Sequence, residues 1–259
     1  MNRICVVGGG NMGEAIINSL RKKYTVVVCE KDAKRRDYLR RTKKLKTSEF
    51  KDAIPAANVI IFAVKPQDME TVLQEIRPLF NRQSLVLSLA AGFPTAFFER
   101  NLPAGARVIR TMPNMPAMIS EGITAVCRGR HAKPADIKLA CTIFNYVGSS
   151  VVVDEGAIDA ITAVSGSGPA YVFYFLESLT KAAKTLGLKE DLAKQLIIKT
   201  FLGSIHLLEI KKEDAAALRA KVTSKGGTTQ AALDVLMKNK FEETVAEALN
   251  AAQKRAAEL

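Results

Sequence analysis

Up to residue 153 the chain alternates short apolar, β-branched runs with stretches in which apolar positions recur at helical spacing. Residues 3–7, 25–29 and 59–64 are nearly continuous apolar runs and predict strands. Between the first two, Met12, Ala15, Ile16 and Leu20 share one helical face, which predicts a helix over 11–22. A second helix is expected over 67–80, and further strands at 84–89, 107–111, 123–127 and 150–153. Strands that are apolar on both faces and separated by helices belong to a parallel sheet covered on both sides. The expected fold is therefore α/β, with a doubly wound, mostly parallel sheet. After residue 155 the strands stop. Helices are expected over 170–186, ending at a C′ glycine, Gly187, and then over 191–210, 214–222, 229–239 and 241–259. This change of pattern divides the chain into residues 1–155 and an all-helical second domain, 156–259.

Composition narrows the class. With 259 residues, 48% apolar and 25% charged, the chain reads as a globular protein of one large domain or two modest ones. The first residues show no basic segment followed by an apolar one, so no signal peptide is expected. The apolar runs fall short of the roughly 18–20 residues of a membrane span. A cytoplasmic protein with no membrane partner is the expectation. Cys5, Cys29, Cys127 and Cys141 show no CxxC spacing, and three of them lie in strand-like runs. They read as buried, reduced thiols. The net charge of +12 raises nucleic acid as a partner. The excess is spread along the chain, and its densest run, 31–46, reads as a solvated helix and loop. An anionic small molecule accounts for part of the bias, and no nucleic-acid partner is expected.

The segment Gly8-Gly9-Gly10-Asn11-Met12-Gly13 contains G-x-G-x-x-G directly after a strand and at the start of a helix. In such a turn Gly8 permits the tight bend, Gly10 lets backbone approach a pyrophosphate, and Gly13 lets the helix pack on the strand. The first domain is thus expected to be a dinucleotide-binding domain of Rossmann type. Glu30 ends the second strand, where an acidic residue holds ribose hydroxyls, but Lys31, Lys34, Arg35 and Arg36 follow at once and could hold a 2′-phosphate. NADP and NAD both stay open as cofactor. Three later turns fall at expected strand ends, where open α/β sheets bind ligands: Ala63-Val64-Lys65-Pro66, Leu89-Ala90-Ala91-Gly92 and Met112-Pro113-Asn114. Lys65 suits a phosphate or ribose; the alternative is a surface lysine.

Two turns mark the helical half. Ser165-Gly166-Ser167-Gly168-Pro169 feeds a helix and could be a hinge. Thr223-Ser224-Lys225-Gly226-Gly227-Thr228-Thr229 leads into another helix, gathering hydroxyls and backbone N–H groups into a receptor for a carboxylate. An ordinary capped connection is the alternative. His131, in a basic loop, and His206, in a helix, suit no catalytic role. There is no Tyr-x-x-x-Lys pair, and no metal-ligand spacing. Carbonyl reduction usually needs a general acid, whereas a protonated imine already carries its proton. The chain leans towards C=N reduction.

Taken in order, GGGNMG, AVKP, AAG, MPN, SGSGPAY and ALRAKVTSKGGTTQAALDVL resemble the pyrroline-5-carboxylate reductase family nearly end to end. The last segment is the specific one. The resemblance implies reduction of 1-pyrroline-5-carboxylate to L-proline by hydride transfer from NAD(P)H, with NADPH the family's common choice. It also implies a helical domain that builds an intertwined homodimer, in some members assembled further, with the substrate loop contributed across the dimer interface. Cofactor contacts are implied for Gly8, Gly10, Asn11, Met12, Gly13, Val64, Lys65, Pro66, Ala90, Ala91 and Asn114, beside Glu30. Ser224, Gly227, Thr228 and Thr229 are implied to hold the substrate carboxylate, with Thr229 hydrogen-bonding the ring nitrogen as the catalytic residue. Lys225 stands where the family often has proline, and Glu30 is unusual for an NADPH enzyme. Two other readings are a hydroxyacid-type dehydrogenase and a non-catalytic dinucleotide sensor. The first would place a lysine in the helix after the glycine turn, where this chain has Val172. The second would have no use for the SKGGTT loop.

Overall fold

The computed structural model of the chain describes residues 3–258. Two compact units form: one runs to Pro169 and includes the stretch from Ala251 onward, and the other is Ala170–Asn250.

The first unit is built on seven strands: β1 (Arg3–Val7), β2 (Thr25–Cys29), β3 (Val59–Phe62), β4 (Leu85–Ser88), β5 (Arg107–Met112), β6 (Gly122–Arg128) and β7 (Gly148–Val152). Their order is β2-β1-β3-β4-β5-β6-β7, and every neighbouring pair is parallel except β5 with β6. The reversal has a covalent cause. The β5–β6 connection, 113–121, is shorter than the dozen or more residues a parallel crossover needs. It holds only a short 3₁₀ segment, Met115–Ile119.

Helices α1 (Asn11–Leu20), α2 (Ala33–Arg41), α3 (Phe50–Ala53), α4 (Met69–Ile76), α5 (Thr95–Asn101), α6 (Pro134–Phe144) and α7 (Ile158–Ile161) accompany the sheet. The strands' period of two feeds two cores. Ile4, Val6 and Ile61 pack with Ile16 and Leu20 of α1, Leu39 of α2 and Phe144 of α6. Cys5, Val7, Ile60 and Phe62 pack with Val72 and Leu73 of α4 and Phe98 of α5. Burial on both faces is why these strands read as unbroken apolar runs. The strand order reverses at β1, which has β2 on one side and β3 on the other. That switch point is where a doubly wound sheet opens a crevice at the carboxyl ends of its strands.

The remaining helices are α8 (Gly168–Thr185), α9 (Glu190–Lys211), α10 (Ala215–Lys221), α11 (Thr228–Lys238) and α12 (Phe241–Ala257). Leu259, the end of the last predicted helix, lies outside the described residues. Gly187, at φ +87°, closes α8 as expected. Its N–H bonds Lys184 O at 3.0 Å, and Leu188 N–H bonds Ala183 O at 3.2 Å, the paired contacts of a Schellman cap. These helices leave large apolar side chains in the open, among them Phe173, Tyr174, Leu202 and Ile205. Among the described residues no helix is long and apolar enough to cross a membrane.

Candidate active site

The glycine turn grows directly from β1. Gly8 takes φ +100° and donates to Cys29 O of β2 at 2.8 Å. A Cβ here would stand 2.6 Å from Ala63 O, so only glycine fits. A Cβ on Gly13 would overlap the carbonyl oxygen of Gly8, which lets α1 close onto the turn. Gly10 differs. It is the N-cap of α1, has no side-chain cap, and a Cβ on it would meet nothing within 4 Å. The first N–H groups of α1 have no partner within the helix and open beside this space. Such a cradle suits a pyrophosphate, whose negative charge the helix N-terminus favours.

A cavity of about 400 Å³ lies against this turn. Gly8, Gly10, Glu30, Val64 and Lys65, five of the residues singled out in the sequence, line it together. Pro66 begins a 3₁₀ segment, Pro66–Asp68, which Lys65 precedes as N-cap. Met12, half-buried, packs against the first core. Asp68 also lines the cavity and pairs with Lys31. Its place just beyond the third strand was the only signal of it in the sequence.

The other two strand ends lie further along the sheet. Ala90 is buried, and its N–H is held by Ser88 Oγ at 3.2 Å; Ala91 follows it. Asn114 accepts from Ile123 N at 3.0 Å and reaches Ser165 Oγ with its amide nitrogen at 3.4 Å. Its side chain thus ties the β5–β6 connection to a π-helical turn, Thr162–Gly166. That turn occupies the Ser165-Gly166 segment that reads in the sequence as a hinge. A second cluster, around the buried Arg110, has no sequence signature. Arg110 of β5 faces Asp159 at 3.1 Å and Glu155 at 3.6 Å, and Glu155 accepts from Thr95 N and Oγ1 at 2.7 and 2.9 Å. The acidic partners lie some 50 residues away along the chain, so periodicity does not join them.

The second candidate element belongs to the helical unit. Gly226 takes φ +71°, and Gly227 N–H bonds Ser224 O at 3.0 Å, closing the turn that starts α11. Gly227 is the N-cap and carries no side-chain cap. A Cβ on it would overlap Ser224 Oγ, so glycine keeps the serine hydroxyl close over the helix end. The hydroxyls of Ser224, Thr228 and Thr229 make no hydrogen bond among the described residues, so none of them caps α11. Backbone N–H groups and three hydroxyl side chains thus belong to one helix N-terminus. Lys225 is exposed beside them.

Residues 155–259 match the family model described as pyrroline-5-carboxylate reductase dimerisation, and residues 3–92 match that of the NADP oxidoreductase, coenzyme F420-dependent. A pyrroline-5-carboxylate reductase from Synechocystis is 38% identical over 98% of this chain and 97% of its own. The chain belongs to the pyrroline-5-carboxylate reductase family. Its relative from Mycobacterium tuberculosis is 36% identical over 100% of this chain and 97% of its own. A Plasmodium falciparum pyrroline carboxylate reductase, solved with NADP bound, superposes with a TM-score of 0.90 at 28% identity, covering 99% of this chain and 97% of that one. The resemblance read from the motifs is thus a family relationship along the whole chain. The fold expected of that family, a mostly parallel sheet domain followed by helices, is the fold observed.

Proposed function

We propose that this chain reduces the cyclic imine 1-pyrroline-5-carboxylate to L-proline with NAD(P)H, the last step of proline biosynthesis, and works as a cytoplasmic homodimer. The observation that carries the reading is the 223–229 turn, where unpaired hydroxyls and helix N–H groups meet in a family whose named members are pyrroline-5-carboxylate reductases. NAD(P)H, when bound, supplies the hydride for the imine carbon. Everything else falls to the chain. The N–H groups at Gly10, Asn11, Met12 and Gly13 hold the pyrophosphate, and Lys65 and Pro66 border it. Ala91 and Asn114 flank the nicotinamide end. Ser224, Gly227 and Thr228 take the substrate carboxylate, and Thr229 hydrogen-bonds the ring nitrogen. A protonated imine already carries its proton on nitrogen and needs none from the protein as the hydride reaches carbon, so positioning carries most of the rate. Both histidines are exposed, and neither is required.

The direct test is the loss of reduced-nicotinamide absorbance when purified protein meets pyrroline-5-carboxylate. Oxidation is expected with the wild type. Thr229→Ala should lower kcat by roughly tenfold, the worth of one hydrogen bond that tightens in the transition state. Its cofactor Kd should stay unchanged. A protein that binds the cofactor but leaves the imine untouched would sink the reaction, and full turnover in Thr229→Ala would remove Thr229 from it.

A further inference from the structure

Glu30 stands at the carboxyl end of β2, where the second strand of a dinucleotide-binding unit meets the adenosine ribose of its ligand. Both of its carboxylate oxygens are fixed by backbone. Oε2 accepts from Gly9 N at 2.7 Å and Oε1 from Asp32 N at 2.9 Å. A carboxylate with two such tethers cannot swing away from an approaching anion, yet it keeps lone pairs free to accept hydroxyl protons.

Three of the four basic residues that follow it are committed elsewhere. Arg35 donates through Nε to Gly9 O at 2.7 Å and pairs with Glu14 at 2.6 Å. Arg36 donates to the backbone oxygen of Glu30 at 2.8 Å. Lys31 pairs with Asp68. Lys34, Arg35 and Arg36 do not line the cavity, whereas Glu30, Asp32 and Asp68 do, against two cations, Lys31 and Lys65. The cavity lining therefore carries more acidic than basic side chains although the chain as a whole is basic.

We propose that Glu30 makes this chain an NADH enzyme: its carboxylate accepts the ribose hydroxyls of NADH and repels the 2′-phosphate of NADPH. The proposal rests on the reading that a nicotinamide dinucleotide occupies this cavity, and it departs from the family's common preference for NADPH.

Binding decides it without turnover. The protein is titrated separately with NADH and NADPH, and the fluorescence of the reduced nicotinamide is followed. Like charges brought together in a partly desolvated site cost affinity, so the Kd for NADH should be lower by at least about tenfold. Equal affinities, or tighter NADPH, overturn the proposal. Glu30→Gln removes the charge and should bring the two Kd values within about threefold, chiefly by tightening NADPH. Glu30→Asp keeps the charge and should keep the preference, so it stands in if the glutamine variant does not fold. A preference that survives in Glu30→Gln overturns the assignment to Glu30. NADH preference without imine oxidation would overturn the reductase reading alone. Oxidation by an NADPH-preferring protein would overturn the role of Glu30 alone, and binding of neither cofactor would overturn both.

Discussion

A methyl group on Gly13 would run into the backbone of Gly8, whereas one on Gly10 would enter open space above the start of α1. The two glycines of one turn therefore separate folding from binding. Gly13→Ala forces the helix off the strand end and should cost about 1–3 kcal/mol of stability, as overpacking does. Gly10→Ala gives up only a fair N-cap and should stay within about 1 kcal/mol of wild type. Its methyl would stand where the pyrophosphate must approach, so cofactor affinity should fall by at least about tenfold. Urea unfolding and cofactor titration on both variants check this. A Gly10→Ala protein that unfolds early yet binds normally would reverse the assignment. Both positions and their separate roles were legible in the spacing G-x-G-x-x-G, but how tightly Gly13 is enclosed was not. That enclosure depends on the Gly8 backbone and the Ala63 side chain, which only the folded turn brings near.

At the scale of elements, α1 and α2 are joined by charge. Glu14 of α1 pairs with Arg35 of α2 at 2.6 Å and with Lys43 just beyond it at 2.8 Å. Burial pushes the Glu14 carboxyl up, but hydrogen bonds and charge from Lys43 and Arg35 outweigh it and hold the group below its ordinary value of 4.5. A carboxylate depressed in the folded state stabilises it fully above the unfolded pKa, and loses that contribution as pH falls through the folded one. Glu14→Gln should therefore be less stable than wild type near pH 7, with the gap closing as the pH drops below 4.5. Urea midpoints measured across that range decide it; a gap that persists in acid would rule out the ionic origin. These ties also explain why run 31–46 resists reading from sequence. A basic segment looks solvated, yet Arg35 and Arg36 reach back to Gly9 and Glu30. Strands β1, β3 and β4 were legible because both faces are buried. The antiparallel entry of β6 and the helix α6 carry weaker signals: α6 is set by Pro134 at its first turn and by Asp136, which accepts from Lys133 N at 2.8 Å.

For the molecule as a whole, apolar surface points to a second copy of the chain. Phe173 is 57% exposed, Tyr174 71%, Leu202 50% and Ile205 54%, all on the two longest helices of the second unit. Helices α8, α10 and α11 bury no residue within the chain. Exposed apolar area on this scale is rare in a monomer and marks an interaction surface. Helical periodicity foretold the helices but not this, because an apolar stripe reads the same whether its own chain or a partner covers it. If two copies close over these faces, part of the folding free energy is association free energy, and stability depends on concentration. Light scattering should give twice the chain mass, and Tm should fall on dilution. Ile205→Glu would place a charge in that contact, so the variant should elute as a monomer, unfold at lower temperature and lose turnover. The wild-type dilution series stands even if that variant is insoluble. A concentration-independent Tm and a monomeric mass would show that these helices fold alone, and their open apolar faces would then need another explanation.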